Sequence, residues 1–242
     1  MSVMAQLGDI EGLKHGIASM ERVLDTSRHL DIGLFNFGRA NLYGVSGEFA
    51  QAARCALEGK QYQEKGGMFF AQCALTILAA AHFSLADDIP RALALLAEAK
   101  ALAEDTYLAG CELDAAAIKA LVALRQGDHE QCGRLLRSVV VPQQLQNTHY
   151  FTRYIPALYT ELFSEALRQG IEIDAVRALI RRCRLKPASS DIEHWPWLVK
   201  IRAFGDFSVE ASTIKPRGKP HYRLLEFMKV LIAFGGSGVN AT

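Results

Sequence analysis

The chain has 242 residues, half of them apolar and 22% charged, so it can bury a substantial core, and a largely disordered state is excluded. Its formal charge of +1 points to no class of partner, but the charge is unevenly spread. Residues 177–229 carry twelve Lys/Arg against five Asp/Glu, and the remainder fifteen against twenty-one, which reads as a basic tail on a mildly acidic body.

The N-terminus, MSVMAQLGDIEGLKHG, lacks a basic stretch followed by an apolar one, so no signal peptide is read there. No apolar run approaches the roughly 18 residues of a membrane span. A cytoplasmic protein is expected. Hydrophobic periodicity then predicts helices over 10–30, 32–46, 49–65, 69–86, 89–106, 111–126, 129–138, 149–169 and 172–184. The stretch VVVPQQLQNTHYF, 139–151, reads as a longer loop. The five cysteines, Cys55, Cys73, Cys111, Cys132 and Cys183, fall inside apolar helical patterns with no C-x-x-C pair. They are expected as small buried hydrophobes in a reducing compartment.

A turn recurs along these helices. GDIEGLKHGI, GEFAQAARCAL, DDIPRALALLA, GDHEQCGRLL and GIEIDAVRALI place Asp9, Glu48, Asp88, Asp128 and Ile171 at spacings of 39, 40, 40 and 43. Four residues on stand Leu13, Ala52, Ala92, Cys132 and Ala175. Eight on stand Ile17, Ala56, Leu96, Leu136 and Leu179, one face of a helix that begins at each turn. Eight before the last four turns stand Ala40, Ala80, Ala120 and Phe163, and the alanines allow close helix approach. Glycine ends one helix and an acidic residue caps the next. Each unit is a helix–turn–helix hairpin that must stack on its neighbours to bury its apolar face. The period and turn chemistry resemble tetratricopeptide repeats in a long-helix variant, which implies a mainly α, right-handed solenoid. MSVMAQL is not read as a proper first helix, so the chain is expected to be cut from a longer array.

Such a solenoid offers a groove lined by the first helix of each hairpin. Candidate lining residues are Phe35, Phe37, Arg39, Tyr43, Phe69, Gln72, Glu112, Lys119, Tyr150, Arg153, Tyr154 and Tyr159. No phosphate-binding loop, G-x-S-x-G elbow or H-E-x-x-H motif occurs, and the seven histidines are scattered. No catalytic residue, metal or cofactor is expected, and no enzyme.

From residue 193 the pattern changes. EHWPWLVKIRAFGDFSVEAS carries both tryptophans, then an alternating run read as strands over 198–204 and 207–211. A basic loop, STIKPRGKPHY, precedes an amphipathic helix with an apolar face of Leu224, Leu225, Met228, Leu231 and Ile232. W-P-W, then IRAFGDF, then LLEFMKVLIAFGGSGV resemble the C-terminal part of large bacterial LuxR/MalT-like regulators of the signal-transducing ATPase type. In these a repeat array leads through a linker into an OmpR/PhoB-type winged helix.

The resemblance implies a repeat domain over 1–186, a linker over 187–198, and the start of a winged helix over 199–242. It places Trp195, Pro196 and Trp197 as docking residues of the linker, and Lys215, Arg217, Lys219 and Arg223 as generic phosphate contacts. The recognition helix and wing would lie beyond Thr242, so specific base readout is not expected of this chain. Expected partners are a protein or small-molecule signal in the groove, DNA only through a complete winged helix, and a second copy as a homodimer, with no membrane. A freestanding scaffold binding a peptide in the groove is the alternative.

Overall fold

The computed structural model describes residues 2–106, 111–140, 155–202, 208–211 and 222–233. Two compact units divide the chain, Met1–Trp195 and Pro196–Thr242. Unit 1 is helical: α1 (Ser2–Leu7), α2 (Ile10–Glu21), α3 (His29–Val45), α4 (Phe49–Lys65), α5 (Phe69–Leu85), α6 (Ile89–Thr106), α7 (Cys111–Arg125), α8 (His129–Val140), α9 (Pro156–Arg168) and α10 (Ile173–Cys183). Unit 2 contains β1 (Val199–Arg202), β2 (Ser208–Ala211) and α11 (Tyr222–Ala233).

Seven described turns of unit 1 share one geometry. At Gly47, the Glu48 N–H donates to the Tyr43 carbonyl at 2.9 Å and the Gly47 N–H to the Gly44 carbonyl at 3.2 Å. This Schellman pairing satisfies the carbonyls orphaned at a helix end and needs a left-handed residue at its centre. The same pair of bonds closes the chain at Gly8, Gly67, Asp87, Gly127, Gly170 and Arg184, all with positive φ. Except after Gly170 and Arg184, the next helix starts two residues on. Asp9, Asp88 and Asp128 each accept a backbone N–H three residues on, from Gly12, Arg91 and Gln131. Asp87, at φ 60°, is tolerated because a short polar side chain lowers the cost of the left-handed region.

The turn at Gly67 changes the reading of the period. The positive-φ residues Gly47, Gly67 and Asp87 stand 20 apart, and the three helices α3, α4 and α5 are 17 residues each. The backbone therefore repeats every helix plus three residues, and the 40-residue period is two such steps.

Consecutive helices pack on one another from α2 through α8, and α9 packs on α10; α5 also touches α7, and α7 touches α9. α5 is the centre of the core, with every residue from Leu75 to Leu85 buried. The small residues expected at helix contacts are there: Ala40, Ala80 and Ala120 are fully buried, as are Leu13, Ala52, Ala92 and Cys132. Burying a leucine such as Leu13 or Leu136 contributes about 2 kcal/mol. α3 and α4 come close at Gly59, where a Cβ would lie 3.2 Å from both the Gly33 carbonyl oxygen and the Asn36 Cβ.

Several boundaries differ from expectation. Ser2–Leu7 is helical and forms a hairpin with α2 through the turn at Gly8. The helix expected over 10–30 ends at Glu21, because Asp25 accepts from the Ser27 N–H at 2.9 Å and folds the chain into a local turn. The helix expected from 149 is described from Pro156, and residues 141–154 lie outside the described residues. Four cysteines are buried as expected, but Cys183 is exposed.

In unit 2, β1 and β2 pair antiparallel with Val199 opposite Ala211 and Ile201 opposite Val209. Val199 and Ile201, which alternate with Lys200 and Arg202, are 52% and 40% exposed. A two-stranded ribbon has no second layer of its own to cover a face. On α11, Met228 and Leu231 are half-buried whereas Ile232 is exposed, which narrows the predicted apolar face.

Candidate functional site

Phe35, Arg39 and Tyr43 fall at four-residue steps on α3 and so form one stripe, each half-buried. The Arg39 guanidinium donates to Asn36 Oδ1 at 3.0 Å and pairs with Glu58 Oε2 on α4 at 3.4 Å. Two acceptors thus fix a cation that is still about one-third exposed. Lys119 on α7 is exposed. Gln72 on α5 is buried at 6%, so it is closed to an outside partner. Tyr159 is also buried, its ring packed on Phe163 with centroids 5.4 Å apart. Tyr150, Arg153 and Tyr154 lie outside the described residues. The structure therefore gathers Phe35, Arg39 and Tyr43 and removes Gln72 and Tyr159 from any open surface.

A second arrangement was not foreseen. Six residues before the turns at Asp88 and Ile171 stand His82 and Glu165, and one residue after the turns at Glu48 and Asp128 stand Phe49 and His129. These meet in pairs. Phe49 stacks on the His82 ring at 6.3 Å between centroids, and His129 Nδ1 bonds Glu165 Oε1 at 2.9 Å. One slot of the repeat is thus filled once by an aromatic pair and once by a polar pair.

The two fillings differ in electrostatics. His82 is fully enclosed, and neither ring nitrogen has a hydrogen-bond partner among the described residues. Burial pulls its pKa from 6.5 down to about 3. Glu165 is supported instead. Burial pushes its carboxyl up, but bonds from Gln169 Nε2 at 2.8 Å and from His129 outweigh this and hold it below the usual range. The Gln169 amide also donates to the His129 carbonyl at 2.9 Å, closing the cluster.

No family model, curated protein or solved structure matches the chain.

Charged groups also link successive hairpins. Arg125 at the end of α7 reaches Asp87 Oδ1 at 3.3 Å and Glu161 Oε1 at 2.7 Å, joining the α5–α6 turn to α9. Lys60 on α4 pairs with Glu98 on α6. No group of three or more His, Cys, Asp or Glu among the described residues could hold a metal ion. No described helix is long and apolar enough to cross a membrane.

Of the linker residues, Trp195 closes unit 1 and is 5% exposed, and its N–H donates to the Ile192 carbonyl at 3.2 Å. Pro196 and Trp197 open unit 2. Lys215, Arg217 and Lys219 lie outside the described residues, and Arg223 stands in the first turn of α11.

Proposed function

We propose that unit 1 is a tetratricopeptide-like repeat array that receives a protein or small-molecule signal for a bacterial transcriptional regulator. The signal passes through the W-P-W segment to a DNA-binding unit whose opening part is residues 199–242. The single observation that carries this reading is the succession of structures in one chain. Helices closed by the same turn, recurring at 39, 40, 40 and 43 residues, run up to Cys183 and give way after Trp195 to a strand hairpin and an amphipathic helix. Repeat arrays gain binding surface by adding units, and the helix stripe bearing Phe35, Arg39 and Tyr43 has the aromatic and arginine composition of a partner-binding surface.

Arg39 carries the recognition in this reading, because its two acceptors present it in one orientation and it remains open to solvent. A partner offering a carboxylate fits that cation. A random peptide library screened on the full chain tests this. Binders enriched in Asp, Glu or a free C-terminus are expected, with affinity falling about 10-fold or more in Arg39→Glu. Arg134→Glu, on the exposed side of α8, should leave it unchanged. Binders indifferent to Arg39→Glu would remove this face from the account.

A further inference from the structure

The described cysteines include one pair in direct contact. Cys73, in the second turn of α5, and Cys111, the first residue of α7, hold their sulfur atoms 3.3 Å apart. Both are buried, at 0% and 4% exposure. Cys73 Sγ also lies 3.7 Å from the Ala99 carbonyl oxygen on α6, so three helices meet at this point. A disulfide is about 2.05 Å long, so the sulfurs need close by only about 1.3 Å to bond. Side-chain rotation at a helix end supplies a movement of that size.

We propose that Cys73 and Cys111 are a dithiol–disulfide pair, which hydrogen peroxide oxidises to an intrachain bond clamping α5 to the start of α7. The proposal is independent of the signal that the array receives.

Either sulfur can donate in this contact, and the surroundings favour Cys73 as the thiolate. The Cys111 thiol as donor favours a thiolate at Cys73, whose pKa is lowered, while the same bond and burial raise that of Cys111. The N-terminus of α7 adds partial positive charge beside the pair. Asp114, buried one turn along α7, acts against a thiolate at either sulfur, so oxidation should be slow and quicken with rising pH.

The chemistry balances with peroxide as sole oxidant. The Cys73 thiolate, its proton already released to solvent, attacks one peroxide oxygen. The O–O bond breaks, leaving a sulfenic acid on Cys73 and a hydroxide that takes the Cys111 proton to become water. The Cys111 thiolate then attacks the Cys73 sulfur. The S–S bond forms, the S–O bond breaks, and the departing hydroxide becomes water with a solvent proton. Two thiols lose two electrons and two protons, and one peroxide becomes two waters. Access comes through fraying of the first turn of α7, which moves Cys111 aside and uncovers Cys73 to peroxide without opening the array.

The test uses the full chain carrying Cys183→Ser, which removes the exposed thiol. Native protein is treated with hydrogen peroxide, quenched with catalase, alkylated in denaturant and digested without reduction. The expected result is a loss of two alkylatable thiols, a peptide pair joined at Cys73 and Cys111, and a Tm that rises on oxidation and returns with dithiothreitol. Cys111→Ser, with its helical signal and melting checked, should abolish both cross-link and Tm shift. In that variant Cys73 should stop at the sulfenic acid, trapped by dimedone. Cross-linking seen only in denaturant, a different pair, or sulfinic acid at Cys73 with Cys111 present would overturn the proposal.

Discussion

Replacing His82 with leucine tests whether the slot between α4 and α5 holds a neutral histidine. In the folded chain its pKa is about 3, and in the unfolded chain it returns to 6.5. The folded pKa is the lower of the two, so the unfolded state binds the proton more readily. Stability is therefore fully present above about pH 6.5 and is lost as pH falls toward 3. At about pH 4.5 the loss from this group is about 3 kcal/mol, two pH units below 6.5 at about 1.4 kcal/mol each. Leucine is a fair replacement because Leu42 occupies the equivalent position, six before the turn at Glu48. His82→Leu should also remove two unpartnered buried nitrogens and stabilise the chain by about 1–2 kcal/mol near neutral pH. Urea denaturation followed by circular dichroism at about pH 7 and about pH 4.5 measures both. Carboxylates contribute to acid sensitivity in both proteins, so the informative quantity is the difference between them. If wild type and His82→Leu lose stability in parallel, within about 0.5 kcal/mol, His82 is not held neutral by burial and the reasoning fails.

Gly44→Ala should destabilise by about 1–3 kcal/mol, since its Cβ would lie 2.5 Å from His82 Cε1. Combined with His82→Ala it should cost much less, and additive effects in a double-mutant cycle would refute the contact. Gly47→Ala meets no atom within 4 Å, so its cost of about 1–2 kcal/mol is that of the backbone alone. Asp87→Gly, made in an Arg125→Ala background so that loss of their ion pair does not offset the gain, should go the other way by about 0.5 kcal/mol, and chemical denaturation checks both variants. Glu165→Gln should cost about 1–3 kcal/mol near neutral pH. The benefit of its carboxylate is present above about pH 4.5 and is lost as pH falls below it. The wild type and the variant should therefore converge in acid, and a constant gap would contradict the lowered pKa.

The turns were legible because they rest on local chemistry. Each position aligned as glycine, or as the first aspartate of DDIP, adopts positive φ, and each aspartate after it that was read as a cap lies at a helix start. Gly67 was not recognised as the same turn. Its follower is Met68 rather than an acidic cap, and the 20-residue step was hidden inside the 40-residue one. α1 was missed because six residues carry too little periodicity to register. The Asp25–Ser27 turn that ends α2 was visible as DTS but was outweighed by the apolar residues around it.

The site was less legible because it depends on contacts between helices. Gln72 sits at a plausible groove position by spacing, but it is buried, and α5 is buried on every face from Leu75 to Leu85, which no single helix pattern declares. Cys73 and Cys111 are 38 residues apart, and Phe49–His82 and His129–Glu165 are 33 and 36 apart. The turn register could have found the last two pairs, since both join the residue after one aligned turn to the residue six before the turn one full period on. The cysteine pair has no such signal.

Chromatin immunoprecipitation of the protein expressed from its own gene in its own cells tests the proposed function most directly. The account predicts enrichment at discrete promoters through a complete winged helix, which residues 1–242 do not by themselves supply, and a shift of that pattern when Arg39→Glu blocks the signal-receiving face. Uniform recovery of DNA across the chromosome, unchanged by that substitution, would contradict it.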